Sequence, residues 1–129
     1  MAREKLSLGE TFGIETTLAG KGALRLMRTA LGRGFIVDLV YIGTADVEIN
    51  LRRIARRVAS GGHDVPESDV RRRYARSLAH LELALVLASG FVLIDNSDDL
   101  GFTILVKRDN SGTRTYQPLP PWAEKLALT

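Results

Sequence analysis

FIVDLVYIG, residues 35–43, is an almost continuous apolar run that lies directly after one glycine and ends in another. A run of this kind is typical of a strand that is covered on both faces, as parallel sheets require. We therefore expect residues 35–43 to form a central strand. The segments on either side of it decide which kind of sheet it belongs to.

Two elements are predicted before this run. Residues 11–18, TFGIETTL, are rich in β-branched and aromatic types and lead into a glycine-rich turn, which predicts a short strand with Glu15 near its end. Residues 22–31 carry apolar side chains at spacings of three and four, which predicts a helix that stops at Gly32 and Gly34.

Two helices are predicted after the central run. Thr44 is placed to cap the first helix, whose apolar stripe runs through Val47, Leu51, Ile54 and Val58. The second helix extends from about residue 66 to residue 88, and its buried stripe consists of Val70, Tyr74, Leu78, Leu81 and Leu85. A different face of this helix carries Arg73, Arg76 and His80.

The C-terminal third of the chain contains a strand, a hairpin and a short helix. Residues 90–97, GFVLIDNS, read as a buried strand that ends in a polar turn. FTILVKR and TRTYQ flank DNSG, which predicts a hairpin, and the prolines after it lead into a last helix. This order of elements predicts an α/β layered fold with a mostly parallel sheet, in which ligands lie beyond the carboxyl ends of the strands.

Composition limits the kind of protein. A chain of 129 residues, 45% hydrophobic, fits one domain with its own core, so we interpret residues 1–129 as a single domain. It contains no cysteine, which excludes disulfides, thiolate metal sites and thiol catalysis. No segment approaches the ~18 apolar residues of a membrane span, and the first residues lack the apolar stretch of a signal peptide. We expect a cytoplasmic protein with no membrane partner.

Arginine is concentrated in the middle of the chain. The formal net charge is only +3, but eight arginines occur between residues 52 and 76, together with three acidic residues. Such a surface favours an anionic ligand. An arginine-rich helix entered through the glycines at 61 and 62 suits a lid that closes over phosphates. For Arg71 and Arg72 we favour a solvated helix face, whereas Arg73 and Arg76 fit a binding role and a surface role equally well.

Other polar residues have two interpretations. Glu15 could orient or deprotonate a substrate hydroxyl, or it could cap a helix or pair with a lid arginine. His63, Asp64 and Glu67 match no metal-ligand spacing, so we predict a lid hinge there and no metal site. Nucleic-acid binding through the arginines is disfavoured because no aromatic residues interleave with them as a stacking surface.

Four blocks in this order, ETTLAG at 15–20, GGHDVP at 61–66, RRRYARSL at 71–78 and DNS at 95–97, resemble the zeta toxin family of P-loop kinases. The similarity is greatest to its chromosomal, ABC-ATPase-like branch. The family phosphorylates a hydroxyl of a sugar nucleotide, UDP-N-acetylglucosamine, with ATP and Mg²⁺. The resemblance implies that Glu15, Thr16 and Thr17 form a substrate site. It also implies that Arg73, Arg76 and His63 belong to a phosphate-binding lid. Asp95 and Asn96 would then end a strand near the nucleotide.

One essential motif of that family is missing. The P-loop pattern G-x-x-x-x-G-K-[ST], which cradles phosphates, does not occur in these 129 residues, and GKG at 20–22 is only a fragment of it. The expected fold is therefore an incomplete P-loop kinase-like fold without its P-loop portion, from a split, decayed or shortened protein. We do not expect catalysis by this chain alone.

Loss of the P-loop strand predicts open sheet edges. The chain would either pair residues 12–18 directly with residues 90–96, or self-associate, or bind a complementary P-loop chain. A non-catalytic regulatory or partner-binding module derived from such a kinase is the alternative function, and arginine-mediated nucleic-acid binding is a third.

Overall fold

The computed structural model describes residues 8–126 and 128 and shows a mixed α/β fold. Its helices are α1 (Gly22–Gly32), α2 (Val47–Ala59), α3 (Glu67–Leu87) and the short α4 (Pro121–Glu124). Its strands are β1 (Asp38–Gly43), β2 (Gly90–Asp95), β3 (Thr103–Asp109) and β4 (Gly112–Thr115). Within the described residues no helix is long and apolar enough to cross a membrane.

The four strands form one sheet in the order β1-β2-β3-β4. Strand β1 runs parallel to β2, whereas the β2–β3 and β3–β4 pairings are antiparallel. The predicted hairpin is confirmed as β3–β4, but the prediction of a mostly parallel sheet is wrong. The hairpin supplies two of the four strands, and the strand predicted at the N-terminal side is not part of the sheet.

Residues 11–17 have no regular secondary structure, so the first predicted strand is wrong. The Thr16 hydroxyl accepts a hydrogen bond from the Leu18 N–H at 3.0 Å, and the Thr17 hydroxyl accepts one from the Ala19 N–H at 3.4 Å. Such local bonds compete with a strand ladder. Leu18 itself has a φ of 60°, a left-handed conformation that would interrupt a strand. Glu15 is consequently not at a strand end.

The predicted direct pairing of residues 12–18 with residues 90–96 is also wrong, because β2 is paired on both sides, with β1 and with β3. β2 is instead the buried strand that its sequence indicates: Phe91, Leu93 and Ile94 are buried. The open edge of the sheet on this side belongs to β1.

Strand β1 is an edge strand, although its sequence predicts a central one. Leu39 and Tyr41 pack against the core, but Val40 and Ile42 are 62% and 59% exposed. The continuous apolar run therefore includes an uncovered apolar face. In the part of the chain that is described, no backbone hydrogen bond reaches the outer edge of β1.

The helices lie close to their predicted positions. α1 ends at Gly32, and Gly34 follows with a φ of 83°, which lets the Phe35 N–H bond to the Ala30 carbonyl at 2.9 Å. α3 agrees with its prediction to within one residue at each end. α2 is capped by Asp46, not by the predicted Thr44: Asp46 Oδ1 accepts the Ile49 N–H at 3.2 Å.

The core lies between the sheet and helices α1, α3 and α4. Leu81 of α3, Leu93 of β2 and Val106 of β3 are its largest fully buried side chains. Trp122 of α4 is buried beside the carboxyl end of β1, with its ring 5.7 Å from the ring of Tyr41. The predicted short last helix thus supports the sheet at the carboxyl end of β1.

Candidate anion-binding site

A cleft of about 780 Å³ opens at the carboxyl end of β1, between α2 and α3. Its walls include Thr44 after β1, Asn50 of α2, Tyr74 of α3 and Asn96 after β2. No carboxylate lines it among the described residues. We call it the basic cleft, because its charged lining residues are Arg53, Arg56, Arg57 and Arg73.

Hydrogen bonds fix the walls of the basic cleft against each other. The Tyr74 hydroxyl donates to the Thr44 carbonyl at 2.8 Å, and the Tyr41 hydroxyl lies 2.8 Å from Ser77 Oγ. Burial raises the pKa of Tyr41, and the bond to Ser77 only partly offsets this effect. Tyr41 therefore stays neutral at ordinary pH, and helix α3 is held at the end of β1 by two neutral phenol contacts.

Thr44 and Asn50 form a polar patch inside the cleft. The Thr44 hydroxyl donates to Asn50 Oδ1 at 2.6 Å. That bond uses the carbonyl oxygen of the Asn50 side chain as an acceptor, so its NH₂ group is the part that remains to donate to a ligand. The patch therefore presents a donor, as an anion requires.

Asp95 supports the site without lining the basic cleft. Its Oδ2 accepts the Trp122 indole N–H at 2.9 Å and its Oδ1 accepts the Ser97 N–H at 2.8 Å. Burial raises the pKa of the Asp95 carboxyl, but the bonds from Trp122 and Ser97 and the charge of Arg53 outweigh it, so the pKa lies below its usual range. Asn96, the other residue predicted here, does line the cleft, and its N–H donates to the Gly43 carbonyl at 2.8 Å.

The four arginines of the basic cleft fall into two pairs. Arg53 and Arg56 contact Asp99 at 3.5 and 3.1 Å. The hydrogen bond and charge of Arg56 hold the pKa of the Asp99 carboxyl below its usual range. Arg57 and Arg73 form no ion pair within residues 8–126 and 128, so both guanidinium groups are available to an anion.

The predicted lid residues are only partly brought together. Arg73 lines the basic cleft, but Arg76 and His63 are exposed and line neither this cleft nor its neighbour. Arg71 and Arg72 are exposed and pair with acidic side chains, including Glu67 at 2.7 Å from Arg71, as expected for a solvated helix face. Helix α2 supplies the arginines that the sequence did not assign to the site, although the local excess of arginine indicates them.

A second cleft of about 850 Å³ adjoins the basic cleft and shares Thr17, Tyr41, Ile42 and Ser77 with it. We call it the apolar cleft, because most of its lining residues are apolar. They come from residues 12–18, from α1, from the segment 35–37 and from β1, and include Phe12, Leu26, Met27, Ile36 and Val40. It contains the predicted substrate residues Glu15, Thr16 and Thr17. The two groups of predicted site residues are thus separate but adjacent.

A contact between α3 and Leu18 fixes the position of residues 16–18 beside the clefts. His80 Nδ1 of α3 lies 2.7 Å from the Leu18 carbonyl oxygen, and the Leu18 side chain is buried. Leu18 holds its left-handed backbone conformation at this position. A strained residue persists only where its surroundings fix it, so His80 and the Thr16 and Thr17 hydroxyls together hold this wall in place.

The clefts fit the two predicted cofactors unequally. Guanidinium groups suit the oxygens of a polyphosphate such as that of ATP. Mg²⁺ in proteins prefers carboxylate oxygens, and no carboxylate of residues 8–126 or 128 lines the basic cleft. Among the residues that the structure describes, no three His, Cys, Asp or Glu side chains are grouped so that they could hold a metal ion. The residues therefore fit the phosphates but not a protein-held Mg²⁺, and we assign no step to the ion.

Comparisons with known proteins leave the family open. No family model matches the chain, and no solved structure matches it. A protein of Haemophilus influenzae, described only as "Uncharacterized protein", is 51% identical over 63 residues. Those residues are 49% of this chain and 45% of that protein, so the match spans less than half of either. None of these comparisons tests the zeta toxin resemblance, which stays a prediction.

Proposed function

We propose that this chain is a zeta-toxin-like nucleotide-binding module, in which the basic cleft holds the phosphates of ATP. The proposal is carried by the convergence of four arginines at the carboxyl ends of two parallel strands, where Arg57 and Arg73 have no ion-pair partner among the described residues. Ligands of open α/β sheets bind at this kind of edge. The sequence blocks that resemble the family add support, since Arg73 belongs to one of them.

The charge arrangement suits a phosphate group. Each guanidinium offers a planar fork of N–H donors, which matches two oxygens of one phosphate group. Arg57 and Arg73 come from different helices and have no competing ion pair among the described residues. A phosphate between α2 and α3 would therefore be held from both sides.

The apolar cleft is the proposed site of the acceptor, a hydroxyl compound of the UDP-sugar class. Thr17 lines both clefts, so an acceptor beside Glu15 and Thr16 would lie next to phosphates in the basic cleft. Glu15 would then orient or deprotonate the acceptor hydroxyl. Phosphoryl transfer also needs a phosphate cradle, and the P-loop pattern that forms one does not occur in these 129 residues. A complementary chain that carries a P-loop would complete the enzyme. Without such a chain, this one acts as a nucleotide-responsive regulatory module.

We also propose a cytoplasmic location. The support is the absence of cysteine from the 129 residues together with a ligand, ATP, that the cytoplasm supplies.

Calorimetric titration with ATP, with and without Mg²⁺ and UDP-N-acetylglucosamine, tests the proposal. Arg73→Ala should weaken ATP binding by about 10- to 100-fold, because a hydrogen bond to a charged group contributes about 1.5–3 kcal/mol. Arg72→Ala is the matched control, since Arg72 is the neighbouring arginine, pairs with Asp69 and does not line the cleft. Equal affinities of the two variants, or no ATP binding by the folded parent chain, would refute the assignment.

A further inference from the structure

Asp99 forms ion pairs with two of the four arginines of the basic cleft. It lies in the loop between β2 and β3, 43 residues from Arg56 and 46 from Arg53 in the sequence, yet it contacts both. Its carboxylate is 57% exposed, and the Arg56 side chain is 61% exposed. Ion pairs this exposed are weak, because water screens the charges and the side chains lose freedom when they pair.

The remaining arginines define a first binding position. Arg57 and Arg73 line the same cleft and have no ion pair within the described part of the chain. A single phosphate group bound by these two would leave the ion pairs of Asp99 with Arg53 and Arg56 intact. A second phosphate group attached to the first would compete with the Asp99 carboxylate for Arg53 and Arg56, and it carries more negative charge than the carboxylate does.

We infer that Asp99 is a displaceable counter-ion, which a ligand with two adjacent phosphate groups displaces from Arg53 and Arg56 and a ligand with one phosphate group does not. The inference rests on the proposed anion site and names its substrate class, a diphosphate or a longer polyphosphate. Asp99 neutralises Arg53 and Arg56 in the empty site and gives way when the second phosphate arrives. It contacts the arginines and not the ligand, and it competes with the second phosphate group for them.

Inorganic phosphate and pyrophosphate are the probes that separate the two positions. Calorimetry at low ionic strength would compare the parent chain with Asp99→Asn and with Asp98→Asn. The second variant is a matched control: it removes the same charge one residue away, and the asparagine oxygen can still accept the Leu100 N–H that Asp98 accepts at 2.8 Å. Asp98 makes no ion pair among the described residues.

Asp99→Asn should bind pyrophosphate about three- to tenfold more tightly than the parent, because the competing ion pairs are gone. Its affinity for phosphate should change by less than about twofold, as should both affinities of Asp98→Asn. In the parent chain, pyrophosphate but not phosphate should shift the backbone amide resonances of Asp99 and Leu100.

Three results would overturn the inference. Pyrophosphate affinity that Asp99→Asn leaves unchanged would show that Asp99 does not compete, while the anion site itself would stand. An equal gain in pyrophosphate affinity in Asp98→Asn would show that the effect comes from the loss of one negative charge and not from the loss of the Asp99 ion pairs. Failure of all three folded proteins to bind either anion would remove the anion site and the counter-ion together.

Discussion

Replacing Gly43 by alanine tests how the edge of the basic cleft is built. A Cβ at this position would lie 2.8 Å from Cζ2 and 2.9 Å from both Cε2 and Cη2 of Trp122. These atoms belong to a rigid, buried ring, whose indole N–H is bonded to Asp95 at 2.9 Å. The ring cannot swing aside as the end of a flexible side chain would, so the indole or the strand must move.

The cost follows from the two contacts that must change. Overpacking a well-filled core costs about 1–3 kcal/mol. If the indole moves far enough to lose its bond to the charged Asp95, about 1.5–3 kcal/mol is lost in addition. We expect Gly43→Ala to lower the free energy of unfolding by about 1–3 kcal/mol if the bond to Asp95 survives and by about 2.5–6 kcal/mol if it is lost. Either is a large share of the ~5–15 kcal/mol that stabilises a typical domain.

Urea unfolding followed by fluorescence measures this loss, because Trp122 is the single tryptophan of the sequence and lies at the perturbed contact. Gly101→Ala is the control: no atom lies within 4 Å of its added Cβ, and we expect a change of less than about 0.5 kcal/mol. A Gly43→Ala protein as stable as the Gly101→Ala protein would refute the packing described for α4.

Three further predictions concern binding, assembly and acid stability. Arg76→Ala should leave ATP affinity unchanged while Arg73→Ala weakens it, since only Arg73 lines the basic cleft; equal losses in calorimetry would contradict the placement of α3. The open, apolar edge of β1 should pair with the same edge of a second copy, so sedimentation should show a concentration-dependent dimer. Val40→Lys should abolish this dimer, whereas the control Val86→Lys, on an exposed part of α3, should preserve it. A monomer at every concentration would exclude this pairing. The lowered pKa of Asp95 stabilises the fold above the unfolded pKa of about 4, and this stabilisation is lost as pH falls through the folded value. Unfolding free energies between about pH 6 and 2.5 should therefore fall more steeply in the parent than in Asp95→Asn, and identical slopes would contradict the network around Asp95.

Elements with strong local signals are predictable from the sequence. Helix α1 ends at the glycines that predict its end, and α3 follows its apolar stripe. The β3–β4 hairpin forms around DNSG, where the Asp109 carboxylate accepts the Ser111 N–H at 2.8 Å. In each case the signal and the structure lie within the same few residues.

Pairing between distant segments is harder to predict. Residues 11–18 have strand-like composition, but the Thr16 and Thr17 hydroxyls bond to the backbone two residues on and prevent a ladder there. The run at 35–43 is apolar on both faces, and composition cannot show that only the face with Leu39 and Tyr41 is covered. Both differences arise from tertiary context.

The candidate site is predictable only in part for the same reason. Sequence identifies Arg73 and the general excess of arginine, but the approach of α2 to α3 decides which guanidinium groups share a cleft. The pairing of Asp99 with Arg53 and Arg56 joins segments more than 40 residues apart and has no sequence signal. Arg76 is the opposite case: the sequence predicts it as a lid residue, but in the structure it lines neither cleft.

Binding of a nucleotide in the basic cleft can be located residue by residue. A titration of the isotopically labelled chain with ATP, followed by amide resonances, tests this most directly because it locates the ligand. We expect the largest shifts at the ends of β1 and β2 and on the facing sides of α2 and α3, at Thr44, Asn50, Arg57, Arg73 and Asn96. Shifts concentrated on the β3–β4 hairpin or on α1, or none at millimolar ATP, would contradict it.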